Sequence, residues 1–386
     1  MQLLTLATLL PLALAAPVIQ PRGAQLIPGN YIVKLKAGAS ESTLQDAIRH
    51  VKAGSAKHVY RAGRFKGFAA QLSPQVLDTV SKLSEVEYIE QDAVITTQAT
   101  VTQDDVPWGL GRISSRTAGA TSYSYDDSAG EGTCSYIIDT GIYVAHNEFE
   151  GRATWLANFI DTSNSDGAGH GTHVAGTVGG VTYGVAKKTK LFAVKVLNAN
   201  GSGTISSVLA GIDFVAADAA NRTAAGECPS GTVANMSLGG SRSTAINSAA
   251  AGAVNAGVFF AVAAGNSNDD SQYYSPASEP TVCTVGATDV DDVRAYFTNY
   301  GALVDVFAPG VDVLSSWIGG VDRTNTISGT SMASPHVAGL GAYLLSLLGP
   351  KTPAELCQYL KDTATLDTIT GLPSGTVNAI VYNGIA

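Results

Sequence analysis

Gly329-Thr330-Ser331-Met332-Ala333-Ser334-Pro335-His336 sets a serine in a tight glycine turn at the head of a long apolar run, Val337 to Leu348. That run reads as a helix. Backbone N–H groups in the first turn of a helix lack partners and carry the positive end of the macrodipole, so Ser331 would face donors suited to an oxyanion. Taken alone, the turn reads more simply as a helix cap, because serine and threonine are favoured there for backbone bonding. Two motifs upstream change that reading.

In Tyr136-Ile137-Ile138-Asp139-Thr140-Gly141 an apolar strand ends in a carboxylate followed by a glycine turn. Asp139 is therefore expected at the C-terminal edge of a strand, where ligand sites of α/β sheets collect. The string Asp-Thr-Gly also occurs in aspartic proteases, but that chemistry needs two carboxylates sharing a proton, and the chain has no second Asp-Thr-Gly or Asp-Ser-Gly. Gly169-His170-Gly171-Thr172-His173-Val174-Ala175-Gly176-Thr177 then places two histidines three apart at the start of a small-residue helix. A zinc reading lacks the His-Glu-x-x-His arrangement and a nearby third ligand. His170, at the helix start, is free to face a cleft, whereas His173 lies one turn deeper and is expected to be a packing residue.

The chain has 386 residues, 45% of them apolar and 42 of them glycine, which suits a compact, turn-rich protein with room for more than one domain. Met1 to Ala16 is almost wholly apolar and ends in Ala13-Leu14-Ala15, so residues 1–15 read as a secretory signal peptide. No later stretch offers 18 uninterrupted apolar residues, and a soluble secreted protein is expected, with no membrane partner. Charge divides the remainder of the chain. Residues 17–100 carry +3 and residues 101–386 carry −12, and so acidic a body argues against nucleic acid as a partner. All four cysteines, Cys134, Cys228, Cys283 and Cys357, fall in the second part, and an even number in an oxidising compartment favours two disulfides among three possible pairings.

The first part reads as a small α+β unit at residues 16–100, folded over about 31–95. Strands are expected at Tyr31–Lys36, Phe65–Leu72 and Val86–Ile95, with helices at Glu41–Val51 and Pro74–Leu83. A polar run, Thr96 to Thr100, comes next as a linker. Beyond it, short β-branched runs alternate with helical stretches: Cys134–Ile138, Leu191–Val196, Val233–Leu238, Val258–Ala263, Val282–Val285 and Leu303–Phe307. Helices are expected to begin at His170, Thr204, Thr244 and Ser331. This alternation predicts an α/β fold, a doubly wound and mostly parallel sheet with helices on both faces.

Asp139, His170 and Ser331 are the residue types that acyl transfer needs. A serine hydroxyl attacks poorly until an imidazole takes its proton, and the imidazole needs a buried carboxylate to fix its tautomer and stabilise its cation. The order Asp…His…Ser separates this chain from the two other folds that carry the same triad in different orders. With these three motifs the chain resembles the subtilisin-like serine proteases, nearest the secreted proteinase K-type enzymes of fungi, and Tyr31–Ile95 resembles the ferredoxin-like inhibitory propeptide of that family. The rival is a non-catalytic binding protein on the same fold, which would be expected to have lost a triad member.

The resemblance implies a zymogen cut at about residues 98–101 into a monomeric endopeptidase of residues 101–386, acting on polypeptides and inhibited by its own propeptide. It implies that Asn266, in Ala263-Ala264-Gly265-Asn266, donates its amide to the oxyanion beside the Ser331 N–H. It further implies that Gly201-Ser202-Gly203 and Ser237-Leu238-Gly239 hold an extended peptide between them. The S1 walls would be Leu238, Gly239 and Ala263–Gly265, small and uncharged, which favours aliphatic and aromatic P1 residues. Ile205 and Val208 would line an apolar S4 pocket. By the same resemblance Cys134 pairs with Cys228 and Cys283 with Cys357, and Val174 stands where proteinase K has a free cysteine. A structural Ca²⁺ would bind the carbonyls of Pro280 and Val282 and the carboxylate of Asp305, with no catalytic cofactor; a weaker family calcium site falls at Thr368, beside Asp367. Asn200, Asn221 and Asn235 begin glycosylation sequons, of which Asn221 is the best candidate because Asn235 is expected on a core strand.

Overall fold

The computed structural model describes residues 15–21, 26–51, 56–63, 65–94 and 99–385. The signal-peptide segment lies outside the described residues except for Ala15, as do Ile95 of the expected strand and residues 96–98 of the expected linker. The chain divides into two compact units, Met1–Thr97 and Gln98–Ala386.

In the first unit, strands β1 (Val18–Ile19), β2 (Leu26–Leu35), β3 (Ala56–Tyr60), β4 (Gly67–Gln71) and β5 (Val86–Ala93) form one sheet in the order β1-β5-β2-β4-β3. Helix α1 (Glu41–Arg49) starts at Ser40, whose hydroxyl accepts from the Thr43 N–H; α2 (Pro74–Ser81) starts at Ser73 with proline in its first turn. Apolar side chains at strand and helix periods meet in one small core that includes Val33, Leu35, Leu44, Phe68, Val80 and Ile89. The expected order of elements holds. β3 escaped the sequence reading because Ala-Lys-His-Val-Tyr is polar and half-exposed, as an edge strand should be.

Among the described residues the main sheet of the second unit has nine strands: β6 (Thr133–Asp139), β7 (Ala153–Asn158), β8 (Lys190–Lys195), β9 (Gly231–Met236), β10 (Phe259–Ala263), β11 (Cys283–Thr288), β12 (Val306–Pro309), β13 (Thr365–Leu366) and β14 (Ala379–Ile380). Their order is β13-β14-β12-β11-β10-β9-β6-β8-β7, parallel throughout except for the β13–β14 pair. Every residue of β6 is buried, as a central strand covered on both faces requires. One face packs on α3 (His170–Gly179) and α6 (Thr330–Leu348), the other on α4 (Ile205–Ala224) and α5 (Thr244–Asn255). Two cores result. α6 is apolar nearly all round, with 15 of its 19 residues buried, the mark of a helix inside the molecule.

The chain enters at β6, winds outward to β7 and β8, then returns to β9 on the other side of β6. That reversal opens a crevice at the C-terminal ends of β6, β8 and β9, where Asp139 ends its strand. Disulfides join Cys134 to Cys228 and Cys283 to Cys357, with Cα atoms 5.6 and 5.8 Å apart. A last helix, α7 (Pro353–Thr363), comes after α6. Among the described residues no single helix is long and apolar enough to cross a membrane.

Candidate active site

Asp139 is fully buried at the end of β6. Its Oδ1 accepts from the Thr140 N–H at 2.7 Å and lies 2.8 Å from His170 Nδ1, while Oδ2 has no hydrogen-bond partner among the described residues. His170 is the first residue of α3, behind Gly169 in the left-handed region (φ 89°), where a side chain would strike Trp317. Burial disfavours the imidazolium, yet the Asp139 charge and hydrogen bond outweigh it, with a further push from Asp166. The ring therefore titrates above its ordinary range.

Ser331 is the second residue of α6 and half-buried. Its hydroxyl donates to the Ser237 carbonyl at 3.2 Å, while the Ser237 hydroxyl donates to the Ser331 carbonyl at 2.6 Å. Below them, Asn235 Nδ2 donates to Ser237 Oγ, and Ser334 Oγ donates to Asn235 Oδ1. This buried chain ties the nucleophile's helix to the end of β9. Asn266 Oδ1 accepts from both the backbone N–H and the hydroxyl of Thr330, at 2.9 and 2.8 Å. With its oxygen so held, the amide nitrogen is turned the other way, onto the Ser331 N–H side of Gly329.

Two adjoining hollows open around these groups. One, about 460 Å³, is lined by His170, the Gly201–Gly203 segment, Ile205, Val208 and Ser237 to Gly239. The other, about 320 Å³, is lined by Leu238, Gly239, Ala263 to Asn266 and Ser331, and among the described residues no charged side chain lines it. Between them the two hollows are lined by all the residues expected for catalysis and peptide binding except Asp139, which bonds to His170. Within that set Ile205 is half-exposed at the rim, and Val208 is buried.

The two other histidines of these motifs have different roles. His173 is buried with Nε2 on the Val313 carbonyl, and burial pushes its pKa down to about 4. His336 is also buried, its Nδ1 on the Met332 carbonyl, and burial likewise lowers it to about 4. Both are neutral packing residues of their helices.

Three supporting residues escaped the sequence reading. Asp166 is buried and accepts five hydrogen bonds: from Thr140 Oγ1, Ala168 N and Gly169 N on one oxygen, and from Thr172 N and Oγ1 on the other. It stitches the strand end carrying Asp139 to the helix start carrying His170. An aspartate four residues before the motif histidine was the available signal, since Asp favours helix starts. Asn299 donates to the Ala264 carbonyl and accepts from Ser267 N and Asp269 N, shaping the loop of Asn266. Lys195, fully buried on β8, donates to the Thr140 and Leu197 carbonyls. Neither of the last two belongs to any local motif.

The expected calcium ligands Pro280, Val282 and Asp305 do share one hollow. They fit the ion poorly. Among the described residues Asp305 is the one carboxylate lining that hollow, and Lys361 Nζ lies 2.9 Å from its Oδ1 while its Oδ2 accepts the Thr284 N–H. Cys283 and Cys357 lie close by but are spent in a disulfide. Thr368 accepts from Arg112. Of the sequons, Asn235 is buried, Asn200 sits in an exposed turn, and Asn221 is exposed in the last turn of α4 rather than in a loop.

Comparison with known proteins gives concordant matches. Residues 130–381 match the Subtilase family and residues 30–98 match Peptidase inhibitor I9. The chain is 52% identical to a "Cuticle-degrading protease" of Metarhizium anisopliae, with all of both chains covered. It is 59% identical to "Proteinase T" of Parengyodontium album over 77% of this chain and 99% of that one. A crystal structure of a cold adapted subtilisin-like serine proteinase, 43% identical, superposes with a TM-score of 0.68 over 73% of this chain and all of its own.

Proposed function

Since the chain belongs to the Subtilase family and is a serine endopeptidase preceded by an inhibitory propeptide, we propose that Asp139, His170 and Ser331 are its catalytic triad. Ser331 Oγ attacks the scissile carbonyl carbon as His170 Nε2 takes its proton. Asp139 accepts from the Nδ1–H, fixing the tautomer and stabilising the imidazolium. Asn266 Nδ2 and the Ser331 N–H hold the oxyanion. His170 then protonates the leaving amine, and a water activated by the same ring releases the acyl group. Proteases of this family use no catalytic cofactor.

The observation that carries this reading is the His170–Asp139 hydrogen bond, 2.8 Å long with the carboxylate fully buried, at the mouth of a peptide-sized cleft. The Ser331 hydroxyl must turn from the Ser237 carbonyl to meet His170. Such bonds commonly tighten only when substrate binds.

Gly201 to Gly203 and Ser237 to Gly239 would pair with an extended substrate as an added strand, so side-chain pockets set preference. The uncharged hollow beside Ser331 favours aliphatic and aromatic P1 residues, and Ile205 and Val208 offer an apolar S4 site. The protein would be secreted and act as a monomer after its propeptide, residues 16–100, is cut off at about residues 98–101. Asn221, exposed on α4, is available for a glycan. Purified Ser331→Ala protein should keep its propeptide and leave casein intact; processing and casein hydrolysis at the wild-type rate would sink the assignment.

A further inference from the structure

We propose that Lys361 is the resident cation of the Asp305 hollow, doing with its own ammonium what a calcium ion would otherwise do there. Lys361 lies on α7 one turn after Cys357, so both side chains leave the same face of the helix. Cys357 is bonded to Cys283, the first residue of β11, and Lys361 Nζ reaches Asp305 Oδ1 at 2.9 Å, just before β12. The other oxygen of Asp305 accepts the Thr284 N–H, at 3.0 Å, on β11. Disulfide and ion pair therefore clamp α7 to the starts of two adjacent strands.

A bound Ca²⁺ takes six to eight oxygen ligands and draws its affinity from carboxylate charge. Among the described residues the hollow offers a single carboxylate, and Pro280 and Val282 are among its other lining residues. That carboxylate is already neutralised. An incoming divalent ion would meet the lysine ammonium at the same oxygen and would have to expel it. Lysine suits the position, being a compact charge on a flexible stem. Its side chain is 37% exposed, so water can serve the protons that Asp305 does not take.

The test uses mature enzyme blocked with a fluorophosphonate, so that autolysis does not confound heating, and measures Tm in chelator and in millimolar calcium. Wild type and Asp305→Asn should show the same calcium-induced change in Tm, because any calcium felt elsewhere is not felt through Asp305. Lys361→Ala should melt about 2–4 °C lower in chelator and recover with calcium. The double variant Lys361→Ala/Asp305→Asn should not recover. A calcium-induced rise in wild type that Asp305→Asn abolishes would overturn the proposal. So would a Lys361→Ala protein that neither loses Tm in chelator nor gains it with calcium.

Discussion

Replacing Asp139 by asparagine isolates the charge behind His170. Asp139 Oδ1 serves Thr140 N–H and His170 Nδ1, whereas Oδ2 has no partner among the described residues, so an amide can keep its oxygen on the first pair and turn its NH₂ to the empty side. Tautomer and ring position are then retained, and what disappears is the negative charge facing the imidazolium of the transition state. Two unit charges 2.8 Å apart attract by about 6 kcal/mol at an effective dielectric constant near 20. That corresponds to about 10⁴ in rate. The assay is kcat/KM on a neutral peptide anilide from pH 4 to 10, with the propeptide removed by an added site-specific protease, since self-processing should fail. Asp139 raises the pKa of His170 against the opposing effect of burial, while Asp166 helps and neutral His173 stands behind on the same helix. Removing the Asp139 charge should therefore shift the acid limb to lower pH as the maximum falls. A loss below about tenfold, or an acid limb that stays in place, would refute the electrostatic argument.

Asn266→Ala should lower kcat by about 10²–10³ with little change in KM, the size established for the corresponding donor of subtilisin, because the amide meets the oxyanion only as it forms. Asp166→Asn should lower both stability and the acid limb of kcat/KM. All five groups bonded to Asp166 donate to it, so the amide must face the Thr172 N–H at a cost of about 1–3 kcal/mol, read by thermal unfolding. His173 and His336 are held neutral at folded pKa values of about 4, so the unfolded chain binds more protons than the folded one from about pH 6.5 down to 4. Each should leave stability intact above that window and remove on the order of 3 kcal/mol across it, and His173→Gln should flatten the slope of Tm against pH. A slope unchanged in that variant would count against a neutral buried ring.

Much of this was legible in the sequence because the chemistry sits where local patterns are strongest. Asp139 ends an apolar run, His170 starts a glycine-alanine helix, and Ser331 lies in the first turn of the long apolar helix α6, so each motif carried its own strand or helix terminus. The parallel sheet emerged from the same β-branched runs, whose ends shifted by at most three residues. The residues that stayed hidden depend on contacts across long stretches of chain. Strand β7, Ala-Thr-Trp-Leu-Ala-Asn, is a half-exposed edge without a clean alternation. Asn299 reaches the Asn266 loop from about thirty residues away, and Lys361 meets Asp305 across 56. The calcium expectation rested on its three ligands alone, and nothing near them in the sequence pointed to a lysine from another helix beside Asp305.

The most direct test of Ser331 as the nucleophile is to treat the mature enzyme with a fluorophosphonate and map the modified residue by peptide mass spectrometry. One adduct per chain is predicted, on Ser331, with loss of casein hydrolysis in proportion to labelling. A label on another serine such as Ser237 or Ser334, or full activity in a protein stoichiometrically labelled at Ser331, would contradict it.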